Sequence, residues 1–240
     1  MKKLVLLFSL CLISFGSIGQ EKSEASFDAG VDFYNRYVWR GLLFSAAPNV
    51  QPYMSITWKG FTAMTWASYA TSKMHYGEVD LFLSYTTGGL TINLNDYYTQ
   101  EYEDEEGNIV SYDISEWDRE LTSHLIEASL IYQLPSDGFP LELTASTFIY
   151  GADLDSDLNQ NYSTYFEVKY PFTYNAYDMA VFIGGTLSEG YYANDAAIVN
   201  LGFNASYPIK VTDSFSLPVN MSLIFHPYNK DVFFVVGVSF

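Results

Sequence analysis

Charged side chains fall on one register of this chain. Asp28, Asp32, Arg36 and Arg40 recur at four-residue intervals, which in an extended strand places all four on one face. The same alternation puts Asp80, Glu127, Glu142, Glu167, Lys169 and Asp178 on the matching face of other segments. Acids outnumber bases in that set. Carboxylates around a water-filled passage favour cations. If paired with the bases instead, they would plug and stiffen a narrow interior.

Other acidic groups point to metal chemistry only weakly. Glu101, Glu103, Asp104, Glu105 and Glu106 precede Gly107-Asn108. They could offer oxygens to a divalent cation, but without the spaced ligands of a calcium loop. A charge run of this kind reads as a solvated loop. Asp153, Asp155 and Asp157 alternate without the glycine or closing glutamate of an EF-hand. The histidines are His75, His124 and His226, and no G-x-S-x-G element accompanies them. The sequence therefore assigns no catalytic residue, no metal and no cofactor. A barrel hydrolase resting on His124 or His226 is the remote alternative.

These groups need elements to position them, and six segments supply the pattern. Each is an alternating, mostly apolar row closed by an aromatic residue: Met54 to Trp58, Val79 to Tyr85, Ile126 to Tyr132, Thr164 to Tyr170, Val199 to Tyr207 and Val232 to Phe240. Aromatic rings at a fixed height suit a membrane interface, because their amphipathic bodies sit well at headgroup level. Trp58, Tyr85, Tyr132, Tyr170, Tyr207 and Phe240 thus read as one girdle of a transmembrane β-barrel.

The fold class expected is all-β: an antiparallel, up-and-down barrel of about twelve strands, an even number as such barrels require. The strands fall near 26–40, 48–58, 60–70, 77–86, 88–98, 122–133, 139–150, 161–171, 176–187, 196–207, 213–226 and 230–240. Connections at 59–60, 87–89, 135–138, 172–175 and 209–213 are short and turn-like. The others are mostly longer, the longest near 99–121. Short turns and girdle share one end, which assigns that end and both termini to the periplasm. In 215–225 the outward row is Phe215, Leu217, Val219, Met221, Leu223 and Phe225, and the inward row is mainly polar or small. By this register no Lys or Arg faces lipid in mid-membrane. Both faces of 60–70 are mixed. A soluble all-β sandwich also alternates, but it accounts for neither the repeated girdle nor the terminal Phe240.

The first residues read as a secretory signal peptide. Lys2 and Lys3 precede an apolar run from Leu4 to Phe15, and Ser17-Ile18-Gly19 offers small residues for cleavage before Gln20. This divides the chain into a signal peptide, 1–19, and a barrel domain, 20–240. Cys11, the single cysteine, falls in the signal, so the mature chain is expected to carry no thiol. No later segment reaches about eighteen unbroken apolar residues, the length of a membrane helix. A net charge of -17 argues against nucleic acid as a partner. The partners expected are outer-membrane lipid, the barrel-assembly machinery engaging the strand that ends at Phe240, and small solutes. The location expected is the outer membrane of a Gram-negative bacterium.

Residues 30–52 carry an aromatic-rich strand, Arg40-Gly41 at its end, and a second strand entered through Pro48 and Val50-Gln51-Pro52. This resembles the TorF-type porin family, also catalogued as Gcw-type conserved outer-membrane proteins. Glu78-Val79-Asp80-Leu81 after a glycine, and the closing strand Phe233 to Phe240, fit the same pattern. The resemblance implies an outer-membrane barrel acting as a porin, with no established substrate and no catalytic residues. The loop at 99–121 is more acidic here than the family pattern demands. A small porin passing polar or cationic solutes is the function expected. The alternative is a plugged structural or adhesive barrel whose outer loops bind a partner, since twelve strands lie between filled eight-stranded and open sixteen-stranded barrels.

Overall fold

The computed structural model describes residues 25–72, 75–104, 106–135 and 139–240. The signal-peptide reading, Cys11 and most of the 135–138 turn lie outside these residues.

Fifteen strands form in chain order, with no helix among the described residues: β1 Ala25–Tyr34, β2 Tyr37–Trp39, β3 Leu42–Ser45, β4 Asn49–Trp58, β5 Phe61–Ala70, β6 Tyr76–Thr87, β7 Leu90–Glu103, β8 Ile109–Ser111, β9 His124–Gln133, β10 Glu142–Gly151, β11 Thr164–Tyr174, β12 Tyr177–Thr186, β13 Ala197–Lys210, β14 Ser216–His226 and β15 Asp231–Ser239. Twelve of them form the wall. Each wall strand pairs antiparallel with the next, and β1 closes on β15 through Asp32 opposite Ser239 and Tyr34 opposite Gly237. Closure removes free sheet edges from the wall. β8 is an extra strand, paired only with the far end of β7. β2 and β3 form a separate hairpin.

Alternation decides which face of each wall strand looks out. Leu201 and Phe203 on β13 face Phe225 and Leu223 of β14, and all four rings or side chains are exposed. Asn204 and Gly202 fall on the opposite face. The mixed strand β5 resolves the same way, with Phe61 and Tyr69 outside and Trp66 and Ser68 inside. The exterior is therefore an apolar belt: Met54, Ile56, Leu81, Leu83, Leu94, Leu130, Val181, Leu223 and Phe234 all stand exposed. No Lys or Arg interrupts its middle among the described residues. Ten residues at about 3.3 Å rise, tilted by about 40°, span roughly 25 Å.

The aromatic band lies at the short-turn end. Trp58 pairs with Phe61, and Phe61 packs on Tyr85 with ring centroids 4.5 Å apart. Tyr170 stacks on Phe139, and Tyr207 packs on Tyr177, each at 4.7 Å. Phe240 meets Phe215 at 6.5 Å and Phe33 at 5.8 Å.

Two wall expectations need correction. Val199 was read in an outward row, but a bulge in the β12–β13 pairing turns it inward, where it is fully buried against Leu125, Phe148 and Tyr192. An extra residue on one strand breaks the two-residue alternation locally. The segment from 99 was read as loop, but β7 runs on to Glu103 and turns into β8.

Candidate functional site

The first strand is the largest departure from the sequence reading. β1 ends at Tyr34 rather than near residue 40. Asn35 then ties itself to β15, its amide Nδ2 donating to the Phe234 carbonyl at 3.2 Å and its Oδ1 accepting from Val236 N–H at 2.9 Å. The chain next folds inward as the β2–β3 hairpin. Its turn is the dipeptide Arg40-Gly41, with φ of 49° and 83°, between Trp39 and Leu42, which pair directly. Two residues at positive φ form the tight turn that matches strand twist. A Cβ on Gly41 would lie 1.9 Å from the Val199 carbonyl oxygen, so only glycine fits at this close approach.

The hairpin crosses the barrel and touches its wall nearly all the way round. Tyr37 packs on Trp66 of β5 at 5.3 Å and Tyr76 of β6 at 5.9 Å. Trp39 packs on Tyr97 of β7 at 5.1 Å. Val38 joins Phe182, Ile224, Phe233 and Val235, from β12, β14 and β15. Gly41 lies against β13 and His226. This half of the lumen is filled with aromatic side chains.

At the tip, Arg40 makes a bidentate pair with Glu127 of β9: Nη1 to Oε2 at 2.5 Å and Nη2 to Oε1 at 3.1 Å. It also donates to the Tyr192 hydroxyl at 2.6 Å and Ser146 Oγ at 3.2 Å. Its guanidinium lies 4.3 Å from the Trp39 ring centre and 4.5 Å from that of Tyr165. Glu127 is only 1% exposed and accepts further bonds from Asn95 and Tyr97. A buried carboxylate of this kind is tolerable because it is charge-paired and its lone pairs are used.

A second polar group sits where the hairpin meets β6. Tyr37 donates to Glu78 Oε1 at 3.1 Å, and the Tyr76 hydroxyl donates to Oε2. Asp80 lies on the same face, buried, and its Oδ1 has no hydrogen-bond partner. Glu78 is a site residue the sequence reading passed over, although the alternation that places Asp80 inside places Glu78 there as well. Next to the tip, Glu167 accepts from Tyr165 at 2.5 Å and Asn200 at 2.9 Å.

The remaining lumen candidates are scattered toward the girdle end. Glu142 pairs with Lys169 at 3.1 Å, both partly exposed. Asp178 accepts from Thr173 at 3.1 Å and is exposed. Asp28 is exposed on the inward register of β1, and Asp32 is half-buried there. Arg36 lies in the bend before β2, outside any strand, with its Nε buried and unbonded. Arg36 and Arg40 therefore do not continue the row of Asp28 and Asp32. The girdle half is lined by Asn204, Ser206, Asn220, Ser222 and Ser239, all partly exposed, so this half is polar and open from its end.

The loop acids serve turns. Asp104 accepts from the N–H groups of Asn108 and Glu106 at 2.8 and 3.0 Å. The Asn108 bonds hold its carboxyl below the ordinary value. Asp155 does the same for Asn159 and Asp157 at 2.9 Å each, and its carboxyl is lowered for the same reason. Asp153 is buried and accepts from Ser163 Oγ at 2.6 Å. Among the described residues no group of three or more His, Cys, Asp or Glu could hold a metal. His124 sits on the outside of the wall, stacked on Trp117 at 4.1 Å and facing Asp96 at 2.8 Å. His226 is fully buried beside the hairpin tip, its Nδ1 accepting from Asn229 N–H at 3.1 Å.

What this arrangement can do follows from its two halves. One end of the lumen is polar, with partly exposed side chains. The other is closed by a hairpin of the same chain, held by one buried ion pair and a ring of aromatic contacts. No protein-family model matches the chain, and no curated protein matches it.

Proposed function

We propose that this chain is an outer-membrane channel for small polar or cationic solutes, shut in the present conformation by its β2–β3 hairpin. The observation that carries the reading is the hairpin lying across the lumen of a closed, lipophilic-walled barrel, with Arg40 on Glu127 at its tip. The apolar belt, the aromatic band at the short-turn end and the resemblance to TorF-type porins support a barrel in the outer membrane, girdle end toward the periplasm. Acids predominate among the inward charges, and a low-dielectric wall focuses their field on cations. Conduction requires the hairpin to leave the lumen. A permanently plugged structural barrel is the second reading, favoured by the contacts the hairpin makes around the wall.

Planar-bilayer recording separates the two. The wild type should be nearly silent, and a chain with residues 36–46 replaced by a short Gly/Ser linker should pass a steady current that prefers cations. Absence of current from the folded, hairpin-excised chain would overturn the channel and leave the structural barrel.

A further inference from the structure

The outer mouth contains a cavity that the plug does not fill. Its volume is about 470 Å³, within the range of about 300–1,000 Å³ usual for small-molecule sites. It opens where the hairpin, the β7–β8 extension and the loop 187–196 meet. Phe44, Tyr76, Tyr102, Tyr112 and Tyr191 line it. Glu103, Asp104 and His75 stand among the remaining lining residues, and no Lys or Arg contributes among the described residues.

These walls are held in place by contacts of their own. The Tyr76 hydroxyl is committed to the buried Glu78, which leaves its ring as the wall surface. Tyr102 and Tyr112 stack with planes 21° apart. The Tyr112 carbonyl accepts from the Tyr98 hydroxyl at 2.7 Å. Tyr191 packs edge-on against the buried Phe148 at 5.1 Å, and its N–H donates to Ser163 Oγ at 2.7 Å. Asp104 keeps its charge because its turn bonds favour the ionised form. Ring faces are electron-rich, so a cation placed against several of them is attracted without needing a direct ion pair. Carboxylates beside such rings add attraction for the same charge and repel anions.

We propose that this cavity is a binding site for a small organic cation of the alkylammonium class, held against the tyrosine and phenylalanine rings with Glu103 and Asp104 beside it. The site needs no opening of the barrel, so it stands whether or not the lumen conducts. It gives the outer face of the protein a ligand of its own.

The test uses the full chain refolded in detergent, with folding checked by its heat-modifiable gel mobility. Benzyltrimethylammonium is titrated calorimetrically at low salt, with benzenesulfonate and methyl α-glucoside as anionic and carbohydrate probes. The cation should bind with sub-millimolar affinity. Tyr102→Leu and Glu103→Gln should each weaken it by about tenfold, the size expected from losing one ring contact or one nearby charge. Glu103→Gln removes no packing volume and decides the matter if Tyr102→Leu fails to fold. Binding of benzenesulfonate or the glucoside as tight as the cation, cation affinity unchanged in Glu103→Gln, or no binding to the folded wild type would each overturn the proposal.

Discussion

Arg40→Met isolates the ion pair at the tip of the hairpin. Methionine keeps a long apolar stem between the Trp39 and Tyr165 rings but removes the charge and all donors. Glu127, 1% exposed, would keep its bonds from Asn95 and Tyr97 and lose the cation it pairs with. Breaking a buried pair by removing one partner costs about 3–5 kcal/mol. The wall strands keep their ladders, so the loss should fall on the hairpin alone. An equilibrium between docked and displaced hairpin would shift by roughly 10²- to 5 × 10³-fold. Hydrogen exchange of the refolded protein reads this directly. Amides of residues 37–45 should lose protection by that factor, while those of β13 and β14 stay unchanged. The double variant Arg40→Met with Glu127→Gln removes the buried charge and keeps acceptors for Asn95 and Tyr97, so it should recover more than half of the loss. A uniform loss across the barrel, no loss at all, or a double variant as weak as the single one would refute the reasoning.

Four further expectations follow from the same geometry. Leu201→Arg should cost about 2–4 kcal/mol in a refolding titration, while Asn204→Arg, inward and partly exposed, should cost little; equal costs would put the register in error. Gly41→Ala should loosen the hairpin by about 1–3 kcal/mol, since the new methyl meets the Val199 carbonyl, and unchanged exchange at 37–45 would count against the close approach. In the hairpin-excised chain, Asp28→Asn with Asp178→Asn should reduce cation preference in a reversal-potential measurement, most clearly at low salt, because screening shortens to about 3 Å at 1 M. The depressed Asp104 carboxyl stabilises its turn above the ordinary value of 3.8. That contribution persists through neutral and mildly acidic pH and is lost as pH falls below that value. The Asn108 amide resonance should therefore stay fixed down to about pH 4, and movement beginning near pH 6 would contradict it.

The wall was legible because one physical rule governs it. A residue facing lipid must be apolar, and its neighbours in the strand must face away, so period two survives in β13, β14 and β15 with little interruption. It fails where sterics intervene, as at the bulge that turns Val199 inward. The hairpin was missed for a different reason. Tyr37 and Trp39 continue the aromatic alternation of β1, so periodicity alone carries the strand past Tyr34. The signal for a tight turn was present: Arg40-Gly41 has nearly the same two positive φ angles as Lys59-Gly60, which was read as a turn. Both dipeptides join strands whose flanking residues pair directly, Trp39 with Leu42 and Trp58 with Phe61. What sequence cannot supply is the destination of such a hairpin. The pairing of Arg40 with Glu127 spans 87 positions and depends on closure of the whole barrel. Similarly, Asp104 and Asp155 looked like spare charge, yet each organises a turn through bonds to residues two and four positions on.

We propose that the hairpin closes one half of the lumen while the half at the aromatic band stays open to water. Sided labelling of a single cysteine at Asn204, in the girdle half, measures this directly. In intact cells carrying Asn204→Cys, a membrane-impermeant maleimide added to the medium should leave the wild-type hairpin background unlabelled and should label the hairpin-excised chain rapidly. Equal labelling in both backgrounds would show that the hairpin does not close the barrel.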